Sequence, residues 1–335
     1  MNIRNAVKQH YFAFFAFFVL LYGFLTFVFL PLWLGVTSAP IAGHNVRDFG
    51  YMPLPVGLSF LANHPSLFLF FGYGFSPSLA GLTVAFLGWG AQGIRDIFSR
   101  LRPWGKGASR ASALRAYGTI IVAVTLMLSG MLGLHYLIGG SSATNPLLGV
   151  AFSGFLITFL VGLWLNPGGV LEEIFGYRGF LLPTLLNDGV GPLKASIMIG
   201  ILWVIWHMAV PFSPLLVDTR KIIADPHFWT FQLPALIGFM IVGCPALSVV
   251  MTHFYIKTGS SLSGILIHSG FNSTIISFGL SVHIGGPSFA SQDSLIVFWL
   301  LTGLMAAAAL LIITIYGRGL VSPEITETVS IEQNT

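Results

Sequence analysis

Long apolar segments alternate with short polar connections along most of the chain. The first segment runs from Tyr11 to about Val36 and the second from about Ser66 to Gly90. Each is long enough to cross the ~30 Å hydrocarbon layer of a bilayer as a helix, which takes about 20 residues. The pattern therefore predicts a polytopic helical membrane protein. Further apolar segments occupy about 116–138, 146–165, 193–212, 234–256, 261–282 and 294–316.

The segment from about Val170 to Leu186 differs from the others. It is short, follows a Pro-Gly-Gly sequence at 167–169, and contains two glutamates and an arginine. A full crossing here would give nine spans, whereas a broken or re-entrant element leaves eight. We expect an all-α fold of about eight transmembrane helices around a polar intramembrane cavity. Residues 1–320 would form one domain, and the acidic tail 321–335 would be disordered.

Composition and charge support a membrane protein and suggest its orientation. Charged residues make up 8% of the chain, against roughly 25% in soluble domains. Six basic residues and one aspartate lie between Arg95 and Arg115. The positive-inside rule places this basic stretch in the cytoplasm, and the N-terminus with it, because two crossings separate them. Such a stretch sets topology or meets anionic lipid far more often than it binds nucleic acid, so we expect no nucleic-acid partner.

Two glutamates stand out because they lie inside the apolar part of the chain. Glu172 and Glu173 are the only glutamates outside the C-terminal tail. An ionised side chain at the bilayer centre costs about 2.5 to 3.5 kcal/mol. A simple ion pair fits poorly as the explanation, because Glu173 and Arg178 are about 140° apart on a straight helix. A bend at Gly176 would change that angle.

Two histidines lie within later apolar segments. His207 follows Trp203 by four residues, and His268 precedes Asn272 by four, so each pair shares a helix face. One membrane histidine alone is more often an ordinary interhelical contact than a functional group. Together with the glutamates, however, these side chains have to face a common polar interior, because lipid offers them no partners.

This set of residue types is sufficient for hydrolysis. A glutamate can take a proton from water, one imidazole can share that water or protonate the leaving amine, and a second imidazole with an amide can hold the oxyanion. Alternatively, Glu173, His207 and His268 could bind a divalent metal such as zinc that activates the water. The chain lacks the H-E-x-x-H signature of zinc proteases, and residue types leave both mechanisms open.

Three sequence elements carry a family resemblance. LEEIFGYRGFLLP, ILWVIWHMAVPF and TGSSLSGILIHSGFN resemble, in order and spacing, the three motifs of the CPBP family of membrane-embedded CAAX proteases and bacteriocin-processing proteins. The resemblance covers about residues 165 to 280. It implies an intramembrane endopeptidase of the prokaryotic cell membrane, in which glutamate and histidine activate water to cut a membrane-associated peptide or protein.

The resemblance also implies roles for individual residues. His207 would act with the general base, Trp203 would contact substrate where an aromatic residue is usual, and His268 and Asn272 would stabilise the oxyanion. In the family motif, three residues separate the glutamate pair from the arginine. In this chain, four residues separate the pair from Arg178. Counting back from Arg178 makes Glu173 the base, and counting from the pair makes it Glu172. We favour Glu173, because the RGFLLP flank fixes the register.

Two other functions use the same residues. One is a non-catalytic binding protein or bacteriocin-immunity protein, which would hold a peptide in the cavity without cutting it. The other is a proton-coupled transporter with the same buried glutamates and histidines. The identity of the substrate and the oligomeric state stay open at the level of sequence.

Overall fold

A computed structural model describes residues 2–35, 63, 66–105, 108–139, 172–208, 224, 226, 229–230, 233–277 and 292–321. The predicted segment at 146–165 and the tail beyond Val321 lie outside these ranges. Every regular element within them is helical, which confirms the all-α prediction for this part of the chain. Three of the described helices are long and apolar enough to cross a membrane: Tyr11–Trp33, Ile237–Thr258 and Trp299–Gly319. The number of eight spans stays a prediction.

In the N-terminal half, the helices at Tyr11–Trp33, Ser66–Trp89 and Arg110–Gly139 cover the predicted apolar segments, and two shorter described helices lie outside them. The helix Tyr11–Phe24 continues through a π-helical turn, Leu25–Phe29, into Leu30–Trp33, and it packs along Ser66–Trp89. The helices are α1 (Ile3–Gln9), α2 (Tyr11–Phe24), α3 (Leu30–Trp33), α4 (Ser66–Trp89), α5 (Ala91–Ser99) and α6 (Arg110–Gly139).

The C-terminal half holds the three motifs. A short helix, a π-helical turn at Tyr177–Leu181 and a second short helix form the first motif element. The helices are α7 (Glu172–Phe175), α8 (Leu182–Asn187), α9 (Pro192–His207), α10 (Leu233–Thr258), α11 (Ser261–Ser277) and α12 (Gln292–Tyr316). Residues 201–207 of the second motif form the end of α9, and residues 261–272 of the third motif lie on α11.

The first motif element is broken rather than straight. The backbone leaves helical geometry at Gly176, where φ is −92° and ψ is −99°, and then enters the π-helical turn. A π-turn widens a helix locally and is frequent at functional sites. Its described part, residues 172–187, would be about 24 Å long as a helix, which is shorter than a ~30 Å hydrocarbon layer.

Small residues let the first motif element pack directly on α4. A Cβ at Gly81 would overlap the carbonyl oxygen of Phe175, and one at Gly176 would lie 2.7 Å from the carbonyl carbon of Pro77. The two backbones are therefore in contact, and a larger residue at either glycine would push them apart. This contact fixes the position of the glutamate pair relative to the N-terminal helices.

The N-terminal helix lies at the same end of the molecule as the basic stretch. The Nζ of Lys8 is 5.8 Å from the centre of the Trp89 ring, at the end of α4. A Cβ at Gly90 would lie 3.2 Å from Nη2 of Arg4. The basic stretch begins a few residues later, on α5.

Candidate active site

Glu173 and Arg178 form a fully buried ion pair. Nη1 of Arg178 donates to both carboxylate oxygens, at 3.1 and 3.2 Å, and both side chains have 0% exposure. The sequence argument against this pair assumed a straight helix, and it is wrong for this element. The break at Gly176 and the π-turn after it bring the two side chains onto one side of the chain.

Arg178 also connects the first motif to α10. Its Nη2 donates to the carbonyl oxygen of Ser248 at 3.1 Å and to Oγ of the same residue at 2.9 Å. Sequence reasoning missed Ser248, because one serine in an apolar helix is more often a packing residue than a partner of a charged group. The contact holds the guanidinium in a fixed orientation toward Glu173.

His268 on α11 completes this cluster. Its Nδ1 lies 3.3 Å from Oε1 of Glu173, and the side chain is buried. One turn earlier, a Cβ at Gly264 would lie 3.3 Å from Cγ of Arg178 and 3.4 Å from Oε2 of Glu173. At Gly264, α11 therefore lies in close contact with the ion pair, and a Cβ there would require the Arg178 side chain to shift by a few tenths of an ångström.

Trp203 lies close to both motif histidines. Its ring centre is 4.7 Å from that of His268, edge to face, and 5.7 Å from that of His207, stacked. Three residues later on α9, Nε1 of Trp206 donates to Oγ of Ser76 at 2.8 Å, which ties α9 to α4. The ring of Trp206 is also 4.8 Å from that of His207. The two tryptophans therefore both contact His207 and differ in their other partners: Trp203 contacts His268, and the indole N–H of Trp206 binds the N-terminal half.

Glu172 has different surroundings from its neighbour. It is 1% exposed and lies beside the indole of Trp203. The indole N–H of Trp203 interacts with Glu172, but neither Oε2 of Glu172 nor Nε1 of Trp203 makes a hydrogen bond of standard geometry within the part of the chain that the structure describes. Buried polar atoms are nearly always hydrogen-bonded, so a water molecule or a substrate amide between these groups would satisfy both.

The position of Asn272 follows from that of His268, because both lie on the continuous helix α11. The helix runs from Ser261 to Ser277 without a break, so Asn272 lies one turn beyond His268 on the same face. It is half-buried. The described structure therefore brings Glu173, Arg178, Trp203 and His268 into direct contact, with Glu172 and His207 beside Trp203 and Asn272 one turn away.

Glu173, His207 and His268 are also the candidate metal ligands. Among the residues the structure describes, no three histidine, cysteine, aspartate or glutamate side chains come together in a way that would hold a metal ion. Glu173 is also a poor ligand, because both of its oxygens accept from Arg178. A cation there would meet a guanidinium that already compensates the carboxylate charge.

Residues 152–274 match the model of a protein family described as type II CAAX prenyl endopeptidase, Rce1-like. The match contains all three motif elements and confirms the resemblance to the CAAX-protease family. No curated protein matches the chain.

Proposed function

Because residues 152–274 belong to the Rce1-like family of type II CAAX prenyl endopeptidases, a family of membrane proteases, we propose that the chain is an intramembrane endopeptidase. It hydrolyses a peptide bond of a membrane-associated peptide or protein, with a water molecule activated by glutamate and histidine. One observation carries the proposal: a buried carboxylate, Glu172, lies beside Trp203, whose ring stacks on that of His207, and it directly precedes Glu173 of the cluster with Arg178 and His268.

The two glutamates have separate roles in this mechanism. Glu173 is neutralised by Arg178 and contacts His268, so it is engaged in holding α7, α10 and α11 together. Glu172 keeps an oxygen without a described partner, as a base that accepts a proton from water requires. These surroundings favour Glu172 as the general base and Glu173 as the residue that positions His268, although the register of the RGFLLP flank favoured Glu173.

The histidines and the asparagine act around the same water. His207 shares the water with Glu172 and passes the proton to the leaving amine. His268, oriented by Glu173, and Asn272 donate to the oxyanion that forms when water attacks the carbonyl. Trp203 contacts the substrate and separates this site from lipid. Because the cluster is buried, these hydrogen bonds act in a medium of low polarity, where they are stronger than in water.

A metal-assisted mechanism is less well supported than one in which glutamate and histidine activate the water without a metal ion. A divalent ion would require Glu173 to leave Arg178, or would require ligands other than Glu173, His207 and His268. Breaking a buried ion pair costs about 3 to 5 kcal/mol. The hydrolytic groups named above act without such a step.

The proposal also includes the membrane in which the chain lies and the kind of substrate that it cuts. We place the chain in a prokaryotic cell membrane, with its N-terminus and basic stretch in the cytoplasm. The substrate is a prenylated protein terminus, or a peptide of the bacteriocin or pheromone kind that lies against the bilayer. The bond that is cut reaches Glu172 from the lipid interface.

The test is a cleavage assay of the full chain in detergent. Glu172, Glu173, His207 and His268 are replaced singly by alanine, and products from prenylated and unprenylated lipid-proximal peptides are measured by mass spectrometry. We expect the His207 and His268 variants to lose most activity. Full activity in both would refute the mechanism, and a wild type that protects cells without any proteolysis would select the binding or immunity function.

A further inference from the structure

We infer that Arg100, which lies outside the range that matches the family, positions the active site. Arg100 immediately follows α5, and it contacts both the first and the third motif element. Its role is to hold these two elements together so that Glu173 and His268 meet. A test of this inference by peptide cleavage rests on the proposed function, whereas a test by the accessibility of His268 does not.

The side chain of Arg100 binds the first motif. Nη1 donates to the carbonyl oxygen of Gly179 at 3.1 Å. Gly179 directly follows Arg178 within the π-turn. A Cβ at Gly179 would overlap the carbonyl oxygen of Ile174, so the turn is tightly packed around this glycine. Arg100 therefore binds the backbone at Gly179, one residue after Arg178, which neutralises Glu173.

The backbone of Arg100 binds the third motif. Its carbonyl oxygen accepts from the backbone N–H of Ser261 at 3.0 Å, from Oγ of Ser261 at 3.0 Å and from Oγ of Ser260 at 3.3 Å. Ser261 is the first residue of α11, which carries His268 two turns later. The start of that helix is therefore anchored to the residue whose side chain holds the π-turn.

Neighbouring contacts keep Arg100 itself in place. The N–H of Gly105 donates to the carbonyl oxygen of Thr258 at 2.8 Å, and the hydroxyl of Tyr117 donates to the carbonyl oxygen of Pro103 at 2.6 Å. On the other side, the rings of Phe98 and Phe175 are 5.0 Å apart. The segment 98–105 is thus fixed against α7, α10 and α6 at the same time.

These contacts explain why an arginine matters at this position. The contact between Glu173 and His268 joins two elements that are 95 residues apart in sequence. A residue with a long, charged side chain can donate to the carbonyl oxygen of Gly179 while its own backbone carbonyl stays bound to Ser261. Lysine retains such a donor, whereas alanine removes it and leaves the backbone contacts. Arg100 does not touch the proposed reacting groups, so its loss should alter catalysis through His268.

The test compares three variants of the full chain, Arg100→Ala, Arg100→Lys and Arg102→Ala. Arg102 is the matched control, because it lies in the same segment and is exposed. We expect Arg100→Ala to lower kcat about tenfold, the effect of losing one charged hydrogen bond, with KM within about twofold of wild type. Arg100→Lys should restore most of kcat, and Arg102→Ala should behave as wild type.

A second readout does not depend on activity. Diethyl pyrocarbonate modifies accessible imidazoles, and mass spectrometry gives the rate at each histidine. His268 and His253 are both buried, at 2% and 4% exposure, and His253 serves as the internal control. Arg100→Ala should raise the rate at His268 at least several-fold, without a change at His253, and Arg100→Lys should reverse this.

The outcomes separate the two proposals. If the wild type cleaves no peptide but His268 becomes reactive in Arg100→Ala, the proposed function fails and the positioning role stands. If Arg100→Ala has wild-type kcat and wild-type reactivity at His268, the positioning role is refuted. It is also refuted if His253 and His268 become reactive together and Arg100→Lys is equally impaired, because that pattern indicates general loosening of the fold.

Discussion

The two halves of the candidate site differ in how their polar groups are satisfied. On the paired side, both oxygens of Glu173 accept from Arg178, His268 contacts Glu173, and Arg178 also donates to Ser248, although Nε of Arg178 has no described partner. On the open side, Glu172 and Trp203 each keep a buried polar atom without a described partner. Two glutamates adjacent in sequence thus have opposite surroundings.

This difference indicates that the two sides of the site have separate roles. A buried ion pair with further hydrogen bonds is costly to break and fixes the elements that carry it. A buried carboxylate oxygen that lacks a partner is costly to retain, and such groups often mark functional sites. We therefore propose that the paired side is structural and that the chemistry takes place on the open side.

The largest effect is expected from Glu172→Gln. The amide has nearly the same size but cannot accept a proton from water, so kcat should fall by at least about a thousandfold, within the range for loss of a general base. The thermal midpoint should stay within a few degrees of wild type, because no described contact of the ion pair is lost. Substantial residual activity in this variant would mean that the open side is not the site of chemistry.

Glu173→Gln should act mainly on stability. It leaves the buried guanidinium of Arg178 without its counter-ion, which should lower the free energy of unfolding by about 3 to 5 kcal/mol. The matched control is the double variant Glu173→Gln with Arg178→Met, which removes both charges and should recover part of the loss. Thermal unfolding in detergent measures all three proteins. If Glu173→Gln is as stable as wild type but inactive, the roles of the two glutamates are exchanged.

Trp203→Phe should have an intermediate effect on activity. It removes the indole N–H beside Glu172 but keeps a ring near the two imidazoles, so kcat/KM should fall about fivefold to tenfold. Trp206→Phe is the control on the same helix, because its indole N–H binds Ser76 instead. That variant should lose stability rather than specific activity. Equal losses of specific activity in both would contradict the assignment of Trp203 to the open side.

Chelation should have the smallest effect. Because both oxygens of Glu173 accept from Arg178, we expect prolonged treatment with EDTA or phenanthroline to change the cleavage rate by less than about twofold. Elemental analysis of the same active sample should find no stoichiometric transition metal. Loss of activity that is restored by added zinc would overturn this expectation.

The helices and the motif residues could be predicted from sequence for physical reasons. Apolar runs of the length of a bilayer have few alternatives to helix, and polar groups in such runs have to meet one another, as Glu173 and His268 do. The Glu173 ion pair was expected to fit poorly, because helical spacing separates the two side chains on a straight helix; the bend that Gly176 allowed for is what brings them together. Ser248 and Arg100 were missed because their partners are backbone groups or residues far away in sequence.

The central claim is that this chain hydrolyses a peptide bond with water held at Glu172. The most direct measurement is mass spectrometry of the cleavage products in water enriched in oxygen-18. The account predicts that wild type yields a new carboxyl terminus carrying one labelled oxygen, and that Glu172→Gln yields no product above background. A wild type without labelled product, or a Glu172→Gln variant that forms it at the wild-type rate, would contradict the account.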